Sequence, residues 1–265
     1  MTAQLAPTVV SRGTGLLYRA NPVTLVVGAI VLSVPLFLTV DWVSALVALV
    51  LEVLLFVAAG VPLGQLVRRS WPLAIGAPLA ALSMVLYGKP EGREYFAFWL
   101  AHITDGSIAL AIAIAIRVFA IGIPAILMFS TIDPTDFADS LAQLVRLPSN
   151  FVLGTLAGTR LVSLFLDDWR TMAMSRRARG IADHAAPRRF AMMAFAVLVL
   201  AIRRGSKLAT AMEARGFGAP TQRTWARQVS LTWVDAVLFV ACLLIVAAAT
   251  WAAVAAGTYR PVWSG

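Results

Sequence analysis

Two arginines in the second half of the chain stand in the same local setting. Arg179 lies in "MAMSRRARGIA" and Arg215 in "KLATAMEARGFGAP", each preceded by Ala and followed by Gly. A guanidinium presents five donors in a rigid planar fork and takes a carboxylate through two parallel hydrogen bonds. The small Ala lets the backbone approach a surface, and Gly permits the left-handed turn that ends a helix. The chemistry open to Ala178-Arg179-Gly180 and Ala214-Arg215-Gly216 is recognition of an acidic groove. One such end needs no partner, because a cation at a helix C-terminus is favoured by the helix dipole. Two, 36 residues apart at the ends of successive helices, fit a partner offering two equivalent grooves.

No catalytic residue, cofactor or metal is expected beside them. "GKP" at 88–90 lacks both the earlier glycine and the following Ser/Thr of a phosphate loop, and no GxSxG turn occurs. His102 and His184 form no zinc pattern, and the single Cys242 excludes an intrachain disulfide or a cysteine metal cluster. Asp167-Asp168 is the best acidic cluster. Adjacent helical residues point about 100° apart, which reads as a solvated or salt-bridged face. A metal-dependent membrane enzyme built on that pair is the competing reading. Arg117, inside "ALAIAIAIRVFAIGIPAI", is an intramembrane charge that costs at least ~2.5–3.5 kcal/mol to insert. It serves either as a contact to a partner subunit or polar path, or as half of an internal pair, and Pro124 kinks the same helix.

These residues must be positioned by a membrane protein. The chain has 265 residues, is 60% hydrophobic and only 13% charged, and has a mean hydropathy of +0.83. Soluble domains carry roughly a quarter charged residues. Five spans are predicted, at 23–40, 43–60, 72–87, 106–130 and 231–256, each near the roughly 20 apolar residues that a bilayer requires. The first exceeds the apolar core of a signal peptide (about 7–15 residues) and is read as retained. Residues 96–103 are too short to cross and are expected to be an interfacial or partly inserted piece.

Residues 131–230 differ in character, holding 14 of the 22 basic residues. Asp133 is a helix cap, Pro134 a first helical position, and Pro148 the closing residue. Leu153, Leu156, Ala157, Leu161, Leu164 and Phe165 then recur on one helical face opposite Arg160, Asp167, Asp168 and Arg170, up to Gly180. A third helix follows Pro187 with "FAMMAFAVLVLAI" at 190–202. Thirteen residues extend only about 20 Å against a hydrocarbon core of about 30 Å, and basic clusters flank both ends, so it is read as staying on the cytosolic face. Eighteen basic residues then lie inside and three outside, which places the N-terminus in the cytosol. The +9 net charge reads as membrane topology, with no nucleic acid. The expected architecture is an all-α integral membrane protein of about five transmembrane helices plus about three amphipathic helices. Its parts are four spans in 1–130, the cytosolic region 131–230, and a last span and tail in 231–265.

With these stretches in view, the chain resembles the transmembrane coupling (T) component of energy-coupling factor transporters, the EcfT/CbiQ/BioN family of the ABC superfamily. "RANPVTLVVGAIVL" is similar to that family's lead into its first span. "FSTIDPTDFADSL" resembles its Thr-x-x-Pro-x-Asp/Glu entry to the cytosolic region, "RRARG" and "AMEARGFG" its paired motifs, and "RTWAR" its basic exit. "GTRLVSLFLDDW" departs from it, lacking the family's proline. The resemblance implies two cytosolic ABC-type ATPase subunits, each accepting one motif through Arg179 or Arg215. It also implies a small substrate-binding membrane subunit (S component), gripped by Phe190, Met192, Met193, Phe195 and Leu198. ATP and Mg would be held by the ATPases and nothing by this chain. The setting would be a bacterial cytoplasmic membrane and the cargo a vitamin or metal ion. The methionines of "MAM" and "AMMAF" suit a re-packing surface or ordinary core filling equally. A self-sufficient carrier or channel is the other alternative, weakened by the lack of an inverted repeat and of polar residues in most spans.

Overall fold

The computed structural model describes residues 15–39, 41–87, 94–98, 101–180, 186–219, 224–225 and 227–259. Arg12, Lys89, Arg93, His184, Arg260 and, within "RTWAR", Arg223 and Ala226 lie outside the described residues. After a 3-10 turn at Leu16–Arg19 come α1 (Pro22–Leu38), α2 (Trp42–Ala58) and α3 (Leu63–Tyr87). A hairpin of β1 (Glu94–Phe98) and β2 (Ala101–Thr104) leads into α4 (Asp105–Thr131). Then follow α5 (Pro134–Gln143), α6 (Ser149–Ala178), α7 (Ala186–Ala214) and α8 (Trp233–Ala255). The fold is all-α, as expected, apart from that hairpin.

The chain divides into two compact units, 1–137 with 230–265, and 138–229. In the first, α1, α2, α4 and α8 pack together and α3 lies on α4. Leu25, Leu32, Phe56, Leu127, Met128 and Cys242 are buried at its centre. Helix starts are set by short polar side chains, which accept from the otherwise unpaired first-turn N–H groups. Asn21 accepts from Val23 N at 3.0 Å with Pro22 in the first helical position, and Asp41 accepts from Ser44 N at 2.7 Å. Thr104 with Ser107 and Thr232 with Asp235 form capping boxes. The bundle is close-packed where residues are small: a Cβ added at Gly28 of α1 would stand 3.3 Å from Cys242 Sγ on α8.

Several boundaries differ from the sequence reading. The third helix begins at Leu63, not 72, and carries Pro72 and Pro78 in its interior. Arg68 and Arg69 therefore sit on helix, and Arg69 Nη1 donates to Ser130 Oγ at 2.6 Å. Residues 96–98 and 101–103 lie on the two strands of the hairpin, pairing Phe96 with Ile103 and Ala97 with His102. Aromatic and β-branched residues favour this extended pairing, which satisfies the backbone locally. Among the described residues four helices are long and apolar enough to cross a membrane: α3, α4, α6 and α8. At 17 residues, α1 and α2 reach about 25 Å, the short end of the spanning range. The inclusion of α6 was not expected. Its 30 residues begin with an 18-residue stretch in which Arg160 is the only charge, so its length and composition meet the requirement despite its polar second half.

In the second unit α6 and α7 run antiparallel: Leu153–Leu164 of α6 flank Leu208 and Met212 of α7, while Trp169 and Ala173 flank Phe190 and Met193. Helix α7 starts at Ala186, so Pro187 occupies its first turn and 190–202 is part of one continuous 29-residue helix. Helix α5 stops at Gln143, five residues before Pro148, and Arg146 takes a left-handed φ of 59° in the turn. Gln143 ties the later chain back, donating to Arg227 O at 2.9 Å and accepting from Val229 N at 3.0 Å.

Candidate functional site

The two Ala-Arg-Gly ends share a left-handed glycine, although Arg179 N donates to Ser175 O and Arg215 N to Met212 O. Helix α6 ends at Ala178 with Arg179 as its C-cap, and Gly180 follows at φ 69°. Helix α7 ends at Ala214, Arg215 follows, and Gly216 takes φ 80°. Gly180 N donates to Arg177 O at 3.0 Å, and Gly216 N donates to Glu213 O at 2.9 Å, the same step in each helix. At α7 the turn is completed by Phe217 N donating to Met212 O at 3.0 Å. Only glycine takes this left-handed position without Cβ strain. All six motif residues are exposed, and neither guanidinium has an ion-pair or hydrogen-bond partner among the described residues. Arg215 opens onto a groove lined by Leu156, Arg160, Leu208, Met212 and Phe217. Each end therefore offers a projecting cation on a small, closely approachable turn.

The acidic cluster is an ion-pairing face. Asp167 accepts from Arg170 Nη1 at 3.5 Å, a pair exposed on both sides. Asp168 reaches across to α7 and takes Arg204 bidentately, Nη1 to Oδ2 at 2.5 Å and Nη2 to Oδ1 at 3.1 Å. Among the described residues no group of three or more His, Cys, Asp or Glu side chains could hold a metal ion.

Of the expected substrate-subunit contacts, Phe190, Met192, Phe195 and Leu198 are exposed along α7. Met193 is not: only 3% of its surface is accessible. It lies on the face of α7 turned to α6, beside Trp169 and Ala173, where a flexible thioether fills the gap between crossing helices. Phe190 shares that junction, its ring centroid 5.3 Å from that of Trp169.

Arg117 lies partly buried on α4, and its Nε and Nη2 have no hydrogen-bond partner among the described residues. The sequence reading passed over a second charge of this kind. Glu52 of α2 is fully buried, and neither carboxyl oxygen has a partner among the described residues. An acidic residue inside an apolar run was the available signal.

A family model described as cobalt transport protein (CbiQ) matches residues 13–226, which take in both Ala-Arg-Gly ends. Three curated relatives carry the name energy-coupling factor transporter transmembrane protein EcfT. The Limosilactobacillus fermentum protein is 29% identical over 54% of this chain, and the match spans 57% of that protein's length. The Ruminiclostridium cellulolyticum protein is 24% identical over 84% of this chain and 87% of its own length. The Exiguobacterium sibiricum protein is 24% identical over 89% of this chain and 92% of its own.

Proposed function

The chain belongs to the cobalt transport protein (CbiQ) family, and on that premise we propose that it is the transmembrane coupling subunit of an energy-coupling factor importer. It acts in a complex of two ABC-type ATPases and one small substrate-binding membrane subunit, in a bacterial cytoplasmic membrane with its N-terminus in the cytosol. Arg179 and Arg215 each enter a carboxylate-bearing groove on one ATPase. ATP and Mg reside in those ATPases, and this chain performs no bond chemistry. When the ATPases close, the two anchored ends move together and carry α6 and α7 with them. The exposed side chains Phe190, Met192, Phe195 and Leu198 pass that movement to the substrate-binding subunit, which releases a vitamin or metal ion.

One observation carries this reading: two helices finish on an exposed Arg-Gly turn with a left-handed glycine, and neither arginine has a partner among the described residues. The helix dipole accounts for one such end, whereas a repeated one suits a repeated acceptor. The test is purification of the complex from native membranes. Two ATPase chains and a small membrane protein are expected to accompany this chain, and the chain stripped of them is expected to show no ATP hydrolysis. A chain that transports alone, with no ATPase present, refutes the proposal.

A further inference from the structure

Counting back from the two motifs exposes a second correspondence. Asp167-Asp168 precedes Ala178-Arg179-Gly180 by the same interval at which Arg203-Arg204 precedes Ala214-Arg215-Gly216. The shift of 36 residues that superposes one motif on the other thus places an acidic pair on a basic pair. Asp168 and Arg204, also 36 residues apart, are the residues that meet across the helix crossing. In an antiparallel pair, a residue and its shifted counterpart coincide only at a local two-fold axis through the crossing. The Asp168–Arg204 contact marks that axis. Ten residues of helix separate it from Ala178 on one side and from Ala214 on the other, about 15 Å in each case.

We propose that Asp168 and Arg204 are positioning residues, whose bidentate ion pair pins the crossing of α6 and α7 so that both Ala-Arg-Gly ends are held equidistant from one axis. The inference rests on the docking reading above, because equal arms matter only to a partner with two equivalent grooves. The chemistry suits the task. A planar fork on a carboxylate fixes both distance and orientation, whereas apolar packing tolerates sliding and rotation. The pair is partly shielded, with 22% of the Asp168 side chain and 39% of the Arg204 side chain exposed, so solvent screens it only in part. Two neighbouring contacts are of another kind. Asp167 is directed to Arg170 on its own helix, and Trp169 against Phe190 is an apolar contact free to shift.

The test uses the full chain in lipid nanodiscs, with Cys242→Ala and spin labels at Ser175→Cys and Ala211→Cys, one turn before each end. Pulsed dipolar spectroscopy reads the distance between the arms, and co-purification reads ATPase capture. The parent should give one narrow distance. Asp168→Asn and Arg204→Met should each broaden it and weaken capture by about five- to tenfold. The exchange Asp168→Arg with Arg204→Asp should restore both, because it rebuilds the same bond in the opposite sense. Loss of a merely structural residue would not be rescued in this way. Single variants that leave the distance narrow, or an exchange that fails to restore it, overturn the pivot. Reversal of Arg179 and Arg215 in the same background separates the two ideas. If that reversal releases no ATPase, the docking reading fails, and the distance measurement alone judges the pivot.

Discussion

The backbone N–H of Asn21 donates to Oδ1 of Asp235 at 2.6 Å, joining positions 214 residues apart. The other carboxylate oxygen, Oδ2, accepts from Thr232 N at 2.7 Å and Thr232 Oγ1 at 2.9 Å. One buried carboxylate therefore caps α8 and holds the residue that caps α1, fixing the first helix against the last. Asp235→Ala orphans three donors at once and should cost on the order of 2–4 kcal/mol. Asp41→Ala, which removes a cap within a single helix, should cost about 1 kcal/mol. Denaturant midpoints in detergent check the order, and equal losses at the two positions would contradict the cross-chain role of Asp235.

Met193 and Phe195 separate packing from partner contact on one helix. Met193 is buried between α6 and α7, so Met193→Ala should destabilise the chain by about 2–4 kcal/mol. Phe195 is 68% exposed, so Phe195→Ala should leave stability within about 0.5 kcal/mol. The proposal instead assigns it to the substrate-binding subunit, so the same change should reduce co-purification of that subunit. Unfolding midpoints and pull-down yields are to be measured on both variants. A stable Met193→Ala, or undiminished capture by Phe195→Ala, contradicts the respective assignment.

Helix α6 is long and apolar enough to span, yet the proposed function requires it to lie on the cytosolic face. With Cys242 replaced by Ala, cysteines at Asn150 and Ser175 mark its two ends. Both should react with a membrane-impermeant maleimide only when the cytosolic side is open to the reagent. Labelling of the two from opposite sides would establish α6 as a span and remove the coupling geometry.

Most helices were legible because apolar periodicity and capping residues agree. Asn21-Pro22 and Asp133-Pro134 start helices, and Gly180 and Gly216 end them, each for a local reason. The start of α3 was obscured. Arg68, Arg69 and Pro72 imitate a loop, but Pro72 and Pro78 are tolerated in a helix that α4 supports and Ser130 helps to anchor. Inward and outward faces of α7 were not separable from composition, because Met192 and Met193 are adjacent residues of one type, the first exposed and the second buried. The site motifs were readable as a repeat. Their relation to Asp168 and Arg204 was not, since helical spacing says which residues share a face but not where two helices cross. Glu52 was visible as a charge in a span and could have been singled out on that ground alone.

The central claim is that Arg179 and Arg215 are the anchors of two ATPase subunits, and charge reversal tests it most directly. Losing one partner of a desolvated pair costs on the order of 2–5 kcal/mol, or roughly 30- to several-thousand-fold in affinity. Arg179→Glu or Arg215→Glu alone should impair uptake, and the double reversal should release both ATPases from the membrane. Arg→Lys at either position should be partly defective, because an ammonium cannot make the fork contact. Arg188→Glu, an exposed basic position on the first turn of α7 outside the motifs, is the control and should matter much less. The measurement is ATPase co-purification, with the chain's membrane level matched across variants. The account predicts loss of both ATPases with the double reversal and retention with the control. Full capture and transport with both motif arginines reversed would contradict it.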